Sequence, residues 1–90
     1  MLKTIVFGYD EILLESIGFL TTSQAEIAAV VFPSNRQDPR ANKIRTIVND
    51  NGFRTLEQPP RRSIDDFVKT LRGIAPDLIL FWSYPMILPI

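Results

Sequence analysis

Apolar residues along this chain fall into short continuous runs, separated by stretches in which they recur at helical spacing. Lys3 to Gly8 is apolar, β-branched and closed by glycine, and reads as a buried strand. Asp10 offers an N-cap, and Ile12, Leu13, Ile17 and Leu20 then recur on one helix face. Glu26 to Phe32 is a second run, too continuous for a sheet with one wet face. Strands buried on both faces look like this in parallel sheets. Asp38-Pro39 is a cap followed by a first-turn proline, and Ile44, Ile47 and Val48 form the stripe of a second helix. Asn51-Gly52 stops that helix with a left-handed residue. Phe53 to Leu56 is a short third strand near an edge, followed by a proline-rich connection from Gln58 to Arg62. Ser63 with Asp66 reads as a capping box of the aspartate type. Ile64, Phe67, Val68 and Leu71 make the third stripe, and Gly73 reads as its stop. Asp77 to Trp82 is a fourth strand. The tail from Ser83 to Ile90 is apolar, and its prolines, Pro85 and Pro89, exclude a regular central strand.

The predicted order is β-α-β-α-β-α-β. Alternation of this kind implies an α/β fold, a Rossmann-like three-layer α/β/α arrangement with a mainly parallel four-stranded sheet and right-handed crossovers. No repeat, low-complexity stretch or internal boundary interrupts it, so residues 1–90 read as a single domain.

Composition narrows the chemistry. The chain has no cysteine and no histidine. Disulfides, thiolate chemistry, cysteine-ligated metals and any Ser-His-Asp or Cys-His site within these residues are thereby excluded. No catalytic residue and no metal ligand is assigned. The 10 basic and 10 acidic side chains cancel, so no strong nonspecific nucleic-acid binding is expected. Low net charge also favours self-association. The apolar run from Leu78 to Ile90 is shorter than the roughly 17–25 residues of a membrane span. With no targeting segment visible, the expectation is a cytoplasmic protein without membrane contact.

Ligands of parallel α/β sheets bind beyond the carboxyl ends of the strands. Those ends carry Gly8-Tyr9-Asp10, Pro33-Ser34-Asn35-Arg36, Glu57 and Ser83-Tyr84. The first turn has one glycine where a dinucleotide fingerprint needs three, and no P-loop is present. Gly8 reads as a strand-to-helix turn residue or as a point of ligand approach. Tyr9 and Asp10 are candidate substrate contacts, with Asp10 first a helix cap. The pairs Asp10-Glu11 and Asp65-Asp66 suit first helical turns, where the helix dipole favours acids. Arg36, Arg40, Lys43 and Arg45 read as a solvated helix surface, with phosphate binding as the competing reading. Alternation sets Leu80 and Trp82 on one face of the last strand and Phe81 and Ser83 on the other. An apolar terminal segment of this kind needs cover. Phe81 to Ile90 is therefore an expected surface for self-association or for a missing C-terminal half.

These residues carry a family resemblance. Ala75-Pro76-Asp77-Leu78-Ile79-Leu80, then Tyr84, then Ile87-Leu88-Pro89 resembles the 10-formyltetrahydrofolate-dependent formyltransferases, whose N-terminal domain commonly has Pro-Asp-Leu-Ile followed by Tyr-x-x-Ile-Leu-Pro. Ile5-Val6-Phe7-Gly8, Ile27 to Val31 and Asn51-Gly52-Phe53 are similar at the family's spacing. The resemblance implies 10-formyltetrahydrofolate as cofactor, with Tyr84, Met86, Ile87, Leu88 and Pro89 as its pocket and Gly8, Tyr9 and Asp10 toward the formyl acceptor. It leaves two branches, acting on aminoacyl-tRNA or on a nucleotide-sugar amine. The glycine-free loop from Pro33 to Lys43 and the Phe7-Gly8-Tyr9 turn lean to the sugar branch. The family's Asn-x-His and later Asp would fall after Ile90. The expectation is an incomplete domain, inactive alone. A non-catalytic interaction or dimerisation module is the alternative. A receiver-like domain fits poorly, since no lysine follows Lys69.

Overall fold

The computed structural model describes residues 1–82 and 84–86. Its elements follow the order β1 (Lys3–Phe7), α1 (Glu11–Thr22), β2 (Glu26–Pro33), α2 (Pro39–Asp50), β3 (Thr55–Gln58), α3 (Ile64–Ile74) and β4 (Leu78–Phe81), with a 3₁₀ turn over Arg61–Ser63 before α3. The four strands form one sheet in the order β3-β2-β1-β4, and every pairing is parallel. The result is the Rossmann-like α/β arrangement that the alternation predicts.

Alternation along the strands divides the core in two. Val6, Val30 and Phe32 pack with Leu13, Ile17 and Leu20 of α1 and with Ile44 and Val48 of α2. Ile5, Phe7, Ala29 and Val31 pack on the other face with Ile64, Phe67 and Leu71 of α3. β1 is buried on both faces from Thr4 to Phe7, which is why its sequence shows no polar alternation. A register shift between Thr4 and Ile5, whose β2 partners are Ile27 and Ala29, inserts one extra residue into β2. It brings the rest of β2 into phase, so that Ala29 and Val30 face the same sides as their partners Ile5 and Val6.

Local signals account for most boundaries. The Asp10 carboxylate accepts from the Ile12 backbone N–H at 3.1 Å, and the Asp38 carboxylate accepts from Ala41 N–H at 2.8 Å with Pro39 in the first turn. Gly52 ends α2 at φ 86°. Four expectations shift. Ile12 is 46% exposed, and the α1 face uses Ser16 instead; Ser16 spends its hydroxyl on the Leu13 carbonyl at 2.8 Å. β3 begins at Thr55, because Phe53 stays tied to the Val48 carbonyl at the end of α2. Ser63 makes no side-chain cap; the 3₁₀ turn, closed by Ser63 N–H to the Pro60 carbonyl at 2.9 Å, leads into α3 in its place. Gly73 lies within α3, and Ala75 takes the left-handed stop at φ 54°.

Candidate functional site

The strand order places β1 beside β4, two strands that are not consecutive in the chain. Chain direction reverses its progress across the sheet at this pair, and crevices of open α/β sheets form at the carboxyl ends of such a pair. Gly8, Tyr9 and Asp10 leave β1 at that rim. Trp82 follows β4 at the same rim, its N–H donating to the Phe7 carbonyl at 2.9 Å.

Gly8 is a close-packing residue. A Cβ there would stand 3.1 Å from the Leu13 Cβ, so the missing side chain lets α1 sit against the strand end. Its N–H donates to the Val31 carbonyl at 3.1 Å. Tyr9 packs on the α1/α2 side of the sheet, with the Arg36 guanidinium 5.0 Å above its ring. Asp10 spends one carboxylate oxygen on its cap. Tyr84 lies on the other side, against the α3 core. Its ring meets Phe7 edge-on at 5.1 Å and Phe81 at 5.9 Å, while Phe7 and Phe81 stand 4.5 Å apart. The two candidate groups thus share a rim and flank it from opposite faces. Met86 is half-buried, and Ile87, Leu88 and Pro89 lie outside the described residues.

Two polar atoms at this rim are buried without a hydrogen-bond partner among the described residues: the Tyr84 hydroxyl and Trp82 Nε1. Buried donors of this kind are uncommon and costly. Burial, then the Glu57 carboxylate, pushes the Tyr84 phenol well above its ordinary value, with Arg45 opposing. The hydroxyl is held neutral, a donor in search of an acceptor. The aromatic wall of Phe7, Phe81 and Tyr84, with a hydroxyl that has no partner among the described residues, fits a flat heteroaromatic ring that carries its own acceptor.

The basic residues divide. Arg45 is largely buried, its side chain 16% exposed. It grips Glu57 with Nε and Nη2 at 2.8 and 3.0 Å, the Pro33 carbonyl at 2.9 Å and Asn42 Oδ1 at 3.0 Å, and it covers the Phe32 ring at 5.0 Å. This is a clamp joining the ends of β2 and β3 to α2, not a solvated surface group. Its spacing from Glu57 in sequence gave no signal of it. Arg40 does stay exposed. Its Nε donates to both Glu11 carboxylate oxygens, at 3.0 and 2.8 Å, tying the first turns of α1 and α2 together. That hydrogen bond holds the Glu11 carboxyl below its ordinary value. Lys43 is exposed, as read. No helix among the described residues is long and apolar enough to cross a membrane.

A parallel sheet with helices on both faces and its loops gathered at the β1/β4 rim defines a Rossmann-like α/β domain. Sequence comparison is more specific. The chain is 28% identical over 93 residues to a methionyl-tRNA formyltransferase of Acetivibrio thermocellus, covering 98% of this chain and 30% of that protein. It is 29% identical over 93 residues to a methionyl-tRNA formyltransferase of Desulfotalea psychrophila, covering 98% of this chain and 28% of that protein. No protein-family model matches the chain. The two matches support membership of the chain in the formyltransferase family. The chain spans less than a third of the length of these curated relatives.

Proposed function

We propose that this chain forms part of a folate-dependent formyltransferase, in which its β1/β4 rim holds part of the pocket for 10-formyltetrahydrofolate. The cofactor supplies the formyl group, and the acceptor is an amine. The observation that carries the reading is the Tyr84 ring packed on Phe7 and Phe81 beside the Gly8 turn, its hydroxyl buried without a partner among the described residues. Tyr84, Met86, Ile87, Leu88 and Pro89 would line the cofactor side, and Gly8, Tyr9 and Asp10 the acceptor side. Arg36 over Tyr9 suits an acceptor that carries phosphate.

Both curated relatives are named for methionyl-tRNA, and their names favour an aminoacyl-tRNA amine as the acceptor. The nucleotide-sugar amine is the second reading, favoured by the glycine-free loop from Pro33 to Lys43. These 90 residues contain no histidine, and by themselves they are expected to bind without transferring the formyl group. Preorganised polar groups of the kind the family uses typically contribute a factor of about 100–1,000 each.

Calorimetric titration with 5-formyltetrahydrofolate tests the binding claim. Saturable heat that is lost in Tyr84→Ala, with the fold retained by circular dichroism, is the expected result. Absence of heat at millimolar ligand would remove the proposal.

A further inference from the structure

Four asparagines stand in the chain, Asn35, Asn42, Asn49 and Asn51, and of these Asn51 alone is followed by glycine. Asparagine is among the thermally labile residues. Its side-chain carbonyl is open to attack by the next backbone nitrogen, and a side chain on that next residue hinders the approach. Asn35, Asn42 and Asn49 precede Arg36, Lys43 and Asp50. Asn42 and Asn49 also lie within α2, where the helical ladder engages the N–H groups that follow.

Asn51 and Gly52 are both exposed. Gly52 takes φ 86°, and a Cβ there would meet nothing within 4 Å. Space is therefore no barrier to ring closure; hydrogen bonds are. Asn51 Nδ2 donates to the Ile47 carbonyl at 2.7 Å. The Gly52 N–H, whose proton must leave before attack, donates to the Asn49 carbonyl at 3.0 Å. Both bonds belong to the end of α2, and helix ends open more readily than a core. The turn precedes β3, at the opposite end of the parallel sheet from the point where β4 runs out.

We propose that Asn51 is a site of spontaneous deamidation, with the Gly52 nitrogen as nucleophile and the last turn of α2 as the gate that sets the rate. The Gly52 nitrogen gives up its proton and bonds to Asn51 Cγ. The Cγ–Nδ2 bond breaks, and the nitrogen leaves as ammonia. Water then opens the resulting five-membered imide. Addition at Cγ gives aspartate. Addition at the main-chain carbonyl of residue 51 gives isoaspartate, in which the chain runs on through the side-chain carbons. The net change is amide plus water to carboxylate plus ammonium.

Either product loosens the end of α2. A carboxylate replaces the donor to Ile47 and meets the negative pole of the helix, in a last turn that holds no basic residue. Isoaspartate also lengthens the main chain by one methylene between Val48 and Phe53. The Phe53 N–H donates to the Val48 carbonyl at 3.4 Å, and its side chain packs on the α1/α2 core. That link into β3 slackens when the spacing changes. The chain, at zero net charge, gains one negative unit. Deamidation thus marks aged chains at the α2–β3 connection.

Peptide mass spectrometry of the folded chain, followed over days at neutral pH, tests this. The expected result is a gain of one dalton confined to the peptide that carries Asn51, with isoaspartate detected by enzymatic methylation. The gain should be on the order of tenfold slower than in a free peptide spanning residues 44–57, the effect of about 1.4 kcal/mol of local opening. Asn51→Gln, whose longer side chain disfavours ring closure, should abolish the gain. Ile5→Val lowers global stability from the buried centre of β1, and should leave the rate unchanged. Asn51→Asp stands in for one product, and should speed amide exchange at Gly52 and Phe53 while β1 stays protected. Circular dichroism checks the fold of each variant. A folded chain that gains no mass while the peptide converts overturns the proposal. So does a rate equal to the peptide's, or a comparable gain at Asn35, Asn42 or Asn49. A rate that climbs in Ile5→Val in step with the lost stability, or unchanged exchange in Asn51→Asp, also overturns it.

Discussion

Ala75 ends α3 at φ 54° with a backbone that only glycine adopts without cost. Two residues earlier, Gly73 occupies a helical position where an added Cβ would meet nothing within 4 Å. The glycine and the alanine each stand where the other would be better suited. Ala75→Gly is expected to stabilise by about 0.5–1 kcal/mol by relieving left-handed strain. Gly73→Ala is expected to add a similar amount through helix propensity. Chemical denaturation of the single and double variants checks both, and the double should be near additive only if the helix end keeps its geometry.

Tyr84 supplies a pH dependence at the same scale. Its folded phenol titrates above the unfolded value because burial and the Glu57 carboxylate disfavour the phenolate. The neutral form therefore contributes stability that is complete below the unfolded value of about 10 and is lost as pH rises toward the folded one. Denaturant midpoints should fall above about pH 10. That fall should shrink in Tyr84→Phe, which keeps the ring contacts and has no proton to lose. An identical alkaline fall in the variant would assign the effect elsewhere.

At the scale of elements, Arg45 is the join that sequence patterning passes over. It holds two strand ends and a helix through four hydrogen-bonded contacts and one ring face. Arg45→Ala is expected to cost about 1–2 kcal/mol: the ion pair is partly exposed through Glu57, but the Pro33 carbonyl and the Phe32 face lose their cover. Arg45→Lys should recover only a minor part, because an ammonium cannot make the forked contact. Thermal unfolding of the pair of variants reads this directly. Full rescue by lysine would show that charge alone matters there.

At the scale of the whole molecule, each central strand is protected by neighbours on both sides and helices on both faces, while among the described residues β3 and β4 have one neighbour each. β1 and β2 carry most of the fully buried apolar residues. Amide exchange is expected to be slowest in residues 4–7 and 29–32, and faster by an order of magnitude or more in β3. Mass-resolved exchange at peptide level is sufficient. Equal protection in β1, β2 and β3 would mean that the chain opens only as one unit.

The alternating pattern by itself determined the element order, the parallel sheet, the two helical layers, the Asp10 and Asp38 caps and the Gly52 stop. Each depends on residues within a few positions of one another, or on burial that any two-sided sheet imposes. The motifs between Ala75 and Pro89 likewise carried the formyltransferase resemblance. Tertiary structure alone decided that β1 and β4 are neighbours, and so that Gly8 and Tyr84 share a rim. It also decided that Ser16 faces the core and that Ala75, not Gly73, takes the left-handed turn. The partnerships Arg45–Glu57, Arg40–Glu11 and Arg36–Tyr9 belong to the same class. The physical reason is common to all of them. They join groups far apart in the chain, or weigh a small local preference against packing worth more, and neither balance is written in local sequence.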